Sequence, residues 1–102
     1  MTMTPQPPPP PPVVFSIDGR LIKSPRDFYR CIGAAVNGRG GYFGRNLDAL
    51  EDCLRGGFGT PDDGHFEFVW EQSEVAQRYL PPEFLAAVRE VFADTGVPLV
   101  LR

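Results

Sequence analysis

Apolar and polar positions alternate along this chain in two distinct periods, and the changes of period mark out its elements. Val13-Val14-Phe15-Ser16-Ile17 is a β-branched and aromatic run closed by Asp18-Gly19, which predicts a strand followed by a turn. Leu21 and Ile22 lead on to Ser24-Pro25-Arg26-Asp27. That is a helix start, with a hydroxyl cap, proline at the first helical position and an acid in the first turn. Phe28, Ile32, Ala35 and Val36 then recur at helical spacing, as core positions rather than a ligand pocket. This helix should fail near Asn37-Gly38, and Gly40-Gly41 gives a flexible lead-in to Tyr42.

A second helix follows, with Asn46 as its N-cap and Gly56 as the glycine that ends it, roughly two and a half turns long. At 100° per residue Leu47, Leu50, Cys53 and Leu54 share one face, and Asp48, Glu51, Asp52 and Arg55 the other. The stretch from Gly56 to Gly64 is too rich in glycine and turn formers to hold regular structure and reads as a surface loop. Phe58 is its one large apolar residue, and the pattern leaves open whether it stands out as an interface anchor or folds back on the core.

Phe66-Glu67-Phe68-Val69-Trp70 alternates as a strand with Phe66, Phe68 and Trp70 on one face. Ser73 is placed to cap a short helix through Leu80, which Pro81-Pro82 breaks before a longer helix starts near Glu83. Phe84, Leu85, Val88, Val91 and Phe92 form its buried stripe, with Glu83, Glu90 and Asp94 on another side. Gly96 ends it, and Val97-Pro98-Leu99-Val100-Leu101 is a third strand with proline near its start. The order of strand, helices, strand, helices, strand predicts an α/β fold: a small three-stranded parallel sheet packed by about four helices and joined by right-handed crossovers.

Composition narrows the function. In a chain of 102 residues, Pro5 to Pro12, interrupted by Gln6, make an extended polyproline tail. Residues 1–12 therefore read as a disordered tail, and residues 13–102 as a single small domain. A net charge of −3 and a pI near 5.0 argue against direct binding to nucleic acid, which needs a basic stripe. No apolar run approaches the ~18 residues of a membrane span, and the start lacks a signal peptide's basic and apolar segments, so a soluble, cytoplasmic protein is expected. Cys31 and Cys53 fall on apolar helix sides as buried hydrophobes in a reducing compartment, although their spacing leaves a disulfide open. Two thiols and the single His65 make no metal site, and no motif implies a cofactor.

The acidic helix face is the first functional clue. Asp48 lies in the first turn, where the helix dipole favours an anion, but Asp52 lies four residues on and gains little. Like charges at that spacing cost a few tenths of a kcal/mol, and Arg55 offsets only part of it. A solvated acidic face is common, and the sharper reading is a surface awaiting a cationic partner.

The run from Tyr42 to Leu54, with Tyr42-Phe43-Gly44-Arg45-Asn46-Leu47-Asp48-Ala49-Leu50 followed by Asp52-Cys53-Leu54, resembles the signature of the barstar family, intracellular protein inhibitors of a secreted bacterial ribonuclease. Weaker similarity extends from about Val14 to the C-terminus, leaving the proline tail outside. The resemblance implies the α/β architecture and a decoy mechanism, in which the acidic helix and adjacent loop plug the active site of a secreted guanyl-specific ribonuclease. It makes Asp52 the central phosphate mimic, Asp48 a supporting contact, Tyr42 and Gly44 parts of the loop surface, and Asn46 both cap and edge contact. Acids of the last helix, Glu90 and Asp94, match the family's rim residues, and their expected role is steering.

Two positions depart from the family. Glu51 stands where barstars carry tryptophan, and Gly57 stands where they carry another, with Phe58 one step away. The lost aromatic contacts bear on which ribonuclease is recognised, and Glu51 could meet an extra cation on a different partner. Two other readings compete: a non-inhibitory binding module on the same scaffold for another basic protein, and a carboxylate enzyme using Asp48 and Asp52. The second lacks any activated group beyond the acids themselves, so no catalytic residue is assigned.

Overall fold

Phe66–Glu71 (β2) is the strand on which the sheet is built. The computed structural model describes residues 3–5, 7–8 and 10–102, and in it β2 pairs on one side with β1 (Val13–Asp18) and on the other with β3 (Leu99–Leu101). Both pairings are parallel, with Phe15 opposite Phe68, and Phe68 opposite Leu99. Parallel neighbours need long crossovers, and helices supply them. A 3₁₀ turn (Gly19–Leu21), α1 (Pro25–Asn37) and α2 (Leu47–Arg55) connect β1 to β2, while α3 (Ser73–Gln77) and α4 (Pro82–Thr95) connect β2 to β3. Among the described residues this is the α/β fold expected from the sequence: three parallel strands and four helices.

The central strand collects the core. Phe66, Phe68 and Trp70 are buried on one face, and Val69 is buried as well, as a strand flanked on both sides should be. Phe28 of α1 stacks on Trp70 with ring centres 5.0 Å apart, and Phe92 of α4 meets Phe68 edge-on at 5.3 Å. Phe43, from the loop before α2, lies 5.9 Å from Phe68. Each crossover is thus tied to β2 through an aromatic ring, and truncating such a ring costs about 3–5 kcal/mol. The edge strand β1 is less covered, with Val13 and Val14 exposed and Ile17 fully buried.

Local capping sets most boundaries. Ser24 accepts from the Asp27 N–H at the start of α1, with Pro25 behind it. Gly96 adopts the left-handed conformation after α4, where its N–H donates to the Ala93 carbonyl and the Val97 N–H to that of Phe92.

That C-terminal motif corrects the third strand. Val97 belongs to the helix end, and Pro98 has no N–H to offer a ladder, so β3 begins only at Leu99; the Pro98 carbonyl still accepts from Phe68. Ser73 is also not a cap. Gln72 precedes α3 in the left-handed conformation, and the Ser73 hydroxyl and N–H both donate to the Arg102 carbonyl, pinning the chain end beside β2. α3 stops at Gln77 rather than at Leu80, α4 starts at Pro82, and β1 and β2 each run one residue further than expected, to Asp18 and Glu71. In the tail, the polyproline expectation at Gln6 and Pro9 lies outside the described residues, as do Met1 and Thr2; the described tail residues form no helix or strand.

The disulfide left open by spacing is not formed: both cysteines are free, Cys53 buried and Cys31 half-buried. Burial pushes both thiols above their ordinary value of 9.0, with nearby carboxylates, Asp52 for Cys53 and Asp27 for Cys31, adding to it. The unfolded chain therefore releases these protons first. Stability should be fully present below that value and fall as pH rises beyond it, in denaturant titrations followed by the fluorescence of Trp70, the sole tryptophan. A thiol reagent at neutral pH should label Cys53 only on unfolding, and Cys31 sooner.

Candidate functional site

α2 is held by one cap and one stripe. The Asn46 side-chain oxygen accepts from the Ala49 N–H at 2.8 Å, and Gly56, at φ +126°, closes the other end. Leu50, Cys53 and Leu54 are buried, which turns Asp48 and Asp52 to solvent. Among the described residues neither carboxylate has a cation at ion-pair distance or accepts a hydrogen bond. Glu51 differs from the three-acid face expected from the sequence. It is half-buried and engaged by Arg55 of its own helix at 2.9 Å, an exposed pair of modest strength that leaves two fully free acids rather than three.

The loop ahead of α2 is pressed onto the helix. Phe43 is buried and Tyr42, beside it, is 45% exposed. Gly44 sits at φ +94°, and a side chain there would come within 2.8 Å of the Leu50 backbone nitrogen, so only glycine lets the loop pass. Arg45 lies over the Tyr42 ring at 5.9 Å. From the following loop, Phe58 brings its ring to 6.3 Å from that of Tyr42 while staying 43% exposed. Phe58 is thus neither a free anchor nor part of the core; it is the second member of an aromatic pair at the surface. Gly57, at φ +87°, is exposed with open space around it.

Asn37 joins the two loops, a role the sequence reading assigned to no residue. Its side-chain amide donates to the Tyr42 carbonyl and to the Phe58 carbonyl, both at 2.7 Å. Gly59 and Gly41 pass so close to the Asn37 side chain that neither tolerates a Cβ. The only hint in the sequence was an asparagine at a helix end with glycines at the two crossing points.

α4 lies alongside α2. One shallow groove joins Leu47 and Asp48 to Phe84, and another joins Leu54 and Arg55 to Thr95 and Val97, so the two helices run in the same direction. Glu90 and Asp94 are exposed on α4 without ion-pair partners among the described residues. The described residues contain no cluster of metal-ligating side chains, and no helix long and apolar enough to cross a membrane. The site is thus an open surface with two carboxylates unpaired among the described residues, an exposed aromatic pair on the loops that flank α2 and further acids on the neighbouring helix.

A sequence model of the family described as Barstar (barnase inhibitor) matches residues 13–97, from the first residue of β1 to the end of the α4 cap. The chain belongs to the barstar family. Barstars inhibit barnase-type ribonucleases, and at that level the family gives the chain an inhibitor's role rather than an enzyme's. A search of curated proteins returns no match. In this barstar the clip at Asn37 should hold the loop surface in place. Asn37→Ala should lower stability by about 1 kcal/mol and speed amide exchange in residues 42–45 and 57–60, while α4 exchange stays unchanged; hydrogen exchange read by mass spectrometry checks both.

Proposed function

We propose that this barstar inhibits a secreted, guanyl-specific microbial ribonuclease inside the cell that makes it, by covering the enzyme's active site with α2 and its flanking loops. The observation that carries this reading is that Asp48 and Asp52 stand on a capped helix with no partner among the described residues. A ribonuclease cleft is built to hold phosphate and presents arginine, lysine and histidine donors, and a fixed carboxylate accepts several such bonds at once. Asp52, in the middle of α2, acts as the phosphate substitute. Asp48 supports it, and Tyr42, Asn46 and Phe58 cover the rim; Gly44, expected on the loop surface, is buried against α2 and holds the loop in place instead. RNA then has no entry.

Burying a lone carboxylate is costly unless cations meet it, and this sets specificity: an enzyme without a basic cleft would only strip water from Asp48 and Asp52. Glu90 and Asp94 add a long-range field that speeds encounter with a basic enzyme and is screened by salt. Two free thiols fit a reducing cytoplasm. Gly57 and the Glu51–Arg55 pair, in place of two large aromatics, shift the choice of enzyme. A barstar scaffold that instead binds a basic protein without nuclease activity would rest on those same two departures.

Mixing the purified chain with a panel of small secreted ribonucleases and following RNA cleavage tests the proposal. Asp52→Ala should weaken inhibition by about 2 kcal/mol or more, roughly 30-fold, mainly through faster dissociation. Glu90→Ala should slow association at low salt and lose its effect as salt is raised. Full inhibition by Asp52→Ala across the panel would show that the site lies elsewhere.

A further inference from the structure

The surface next to the acidic helix has the opposite charge. Between residues 13 and 46 six cations, Arg20, Lys23, Arg26, Arg30, Arg39 and Arg45, stand against two acids, whereas from residue 47 onward four cations stand against eleven acids. Three of the first group converge. Arg26 and Arg30, from the first turns of α1, face Arg45 across a groove of about 590 Å³ whose aromatic walls are Tyr29 and Tyr42. Arg30 reaches Asp27 only at 3.8 Å, and among the described residues Arg26 and Arg45 have no ion-pair partner. The walls are fixed: the Gly41 carbonyl seats against Gly33, where α1 has no Cβ in the way, and Asn37 ties down Tyr42.

We infer that this groove receives a carboxylate side chain of the ribonuclease, an aspartate or glutamate on the rim of its basic cleft. The inference rests on the inhibitory reading above and specifies which enzymes that reading admits. A guanidinium presents a planar fork of donors that matches a carboxylate, and the Tyr42 ring beneath Arg45 holds one such fork in place. Phosphate accepts the same forked hydrogen bonds from guanidinium, so the neighbourhood decides between them. Arg45, Tyr29 and Pro25 also line the shallower groove that contains Asp48. A nucleic acid strand leaving the arginines would run onto Asp48 and Asp52, whereas a folded enzyme can place one acid over the arginines and its cations over the aspartates. Enzymes with a basic residue at that rim position are repelled, so the groove selects among partners as well as holding one.

The test uses the ribonuclease that the wild-type chain inhibits. Arg26→Gln/Arg30→Gln/Arg45→Gln should bind it about tenfold more weakly, and the corresponding triple glutamate variant more weakly still. Trp70 fluorescence and a thermal melt confirm folding, and Arg26→Gln alone provides a milder variant. Replacing the enzyme's rim acid by lysine should restore part of the affinity of the triple glutamate variant. Unchanged inhibition by both triple variants would overturn the inference while leaving the inhibitory reading intact; a wild-type chain that inhibits no enzyme in the panel would overturn both. Titration with uridine monophosphate, followed by NMR, covers the other occupant. Saturable shifts at Tyr29 and Tyr42 that vanish in the triple glutamine variant would assign the groove to a nucleotide instead, and their absence supports the carboxylate.

Discussion

Everything exposed on this barstar depends on the burial of one stripe of α2. Leu50, Cys53 and Leu54 are almost wholly removed from water, and a helix of nine residues that commits that face has no choice about the other. Burying Leu50 and Leu54 is worth about 1.5–3 kcal/mol each, while the repulsion between Asp48 and Asp52 costs a few tenths. The hydrophobic term wins by a wide margin. The protein can therefore keep two unpaired acids one helical turn apart without endangering its fold, and it needs no internal cation to offset them.

The same margin explains which features could be read from the sequence. Ser24, Asn46, Gly56 and Gly96 mark helix ends by chemistry that reaches only two or three residues, so α1 and α2 were legible almost to the residue. Asp48 and Asp52 were legible for the same reason, since helical spacing alone puts them opposite Leu50 and Leu54. Long-range partners were not. Ser73 has the composition of a cap, but its hydroxyl is taken by Arg102, 29 residues away, and Asn37 reads as a helix end while holding Phe58, 21 residues on. The basic groove was hidden likewise, because Arg26 and Arg30 meet Arg45 only when α1 and the loop before α2 are folded together.

Rigidity around the acids matters as much as their charge. The loop from Gly56 to Gly64 is rich in glycine, and a free loop would lose that freedom on meeting a partner. Asn37 ties its Phe58 carbonyl to that of Tyr42 before any partner arrives, Gly44 lets the preceding loop lie flat on α2, and Phe43 roots that loop in the core. Tyr42 and Phe58 are thus held as a pair on the two loops that flank α2. With Glu51 engaged by Arg55 and Gly57 bare, this pair supplies the exposed large apolar residues of the two loops that flank α2.

A surface divided into positive and negative parts also orients a partner. A purely acidic patch attracts a basic enzyme equally well over a range of rotations, since exposed charges act over about a Debye length, ~8 Å at physiological salt, which is wider than the spacing of neighbouring side chains. Setting Arg26, Arg30 and Arg45 against the acids of α2 makes most of those rotations unfavourable. Only the one that matches cation to acid on both sides keeps the full attraction. The boundary between the two fields falls at Asn46, with Arg45 on one side and Asp48 on the other, so the residue that starts the helix also stands where the surface changes sign.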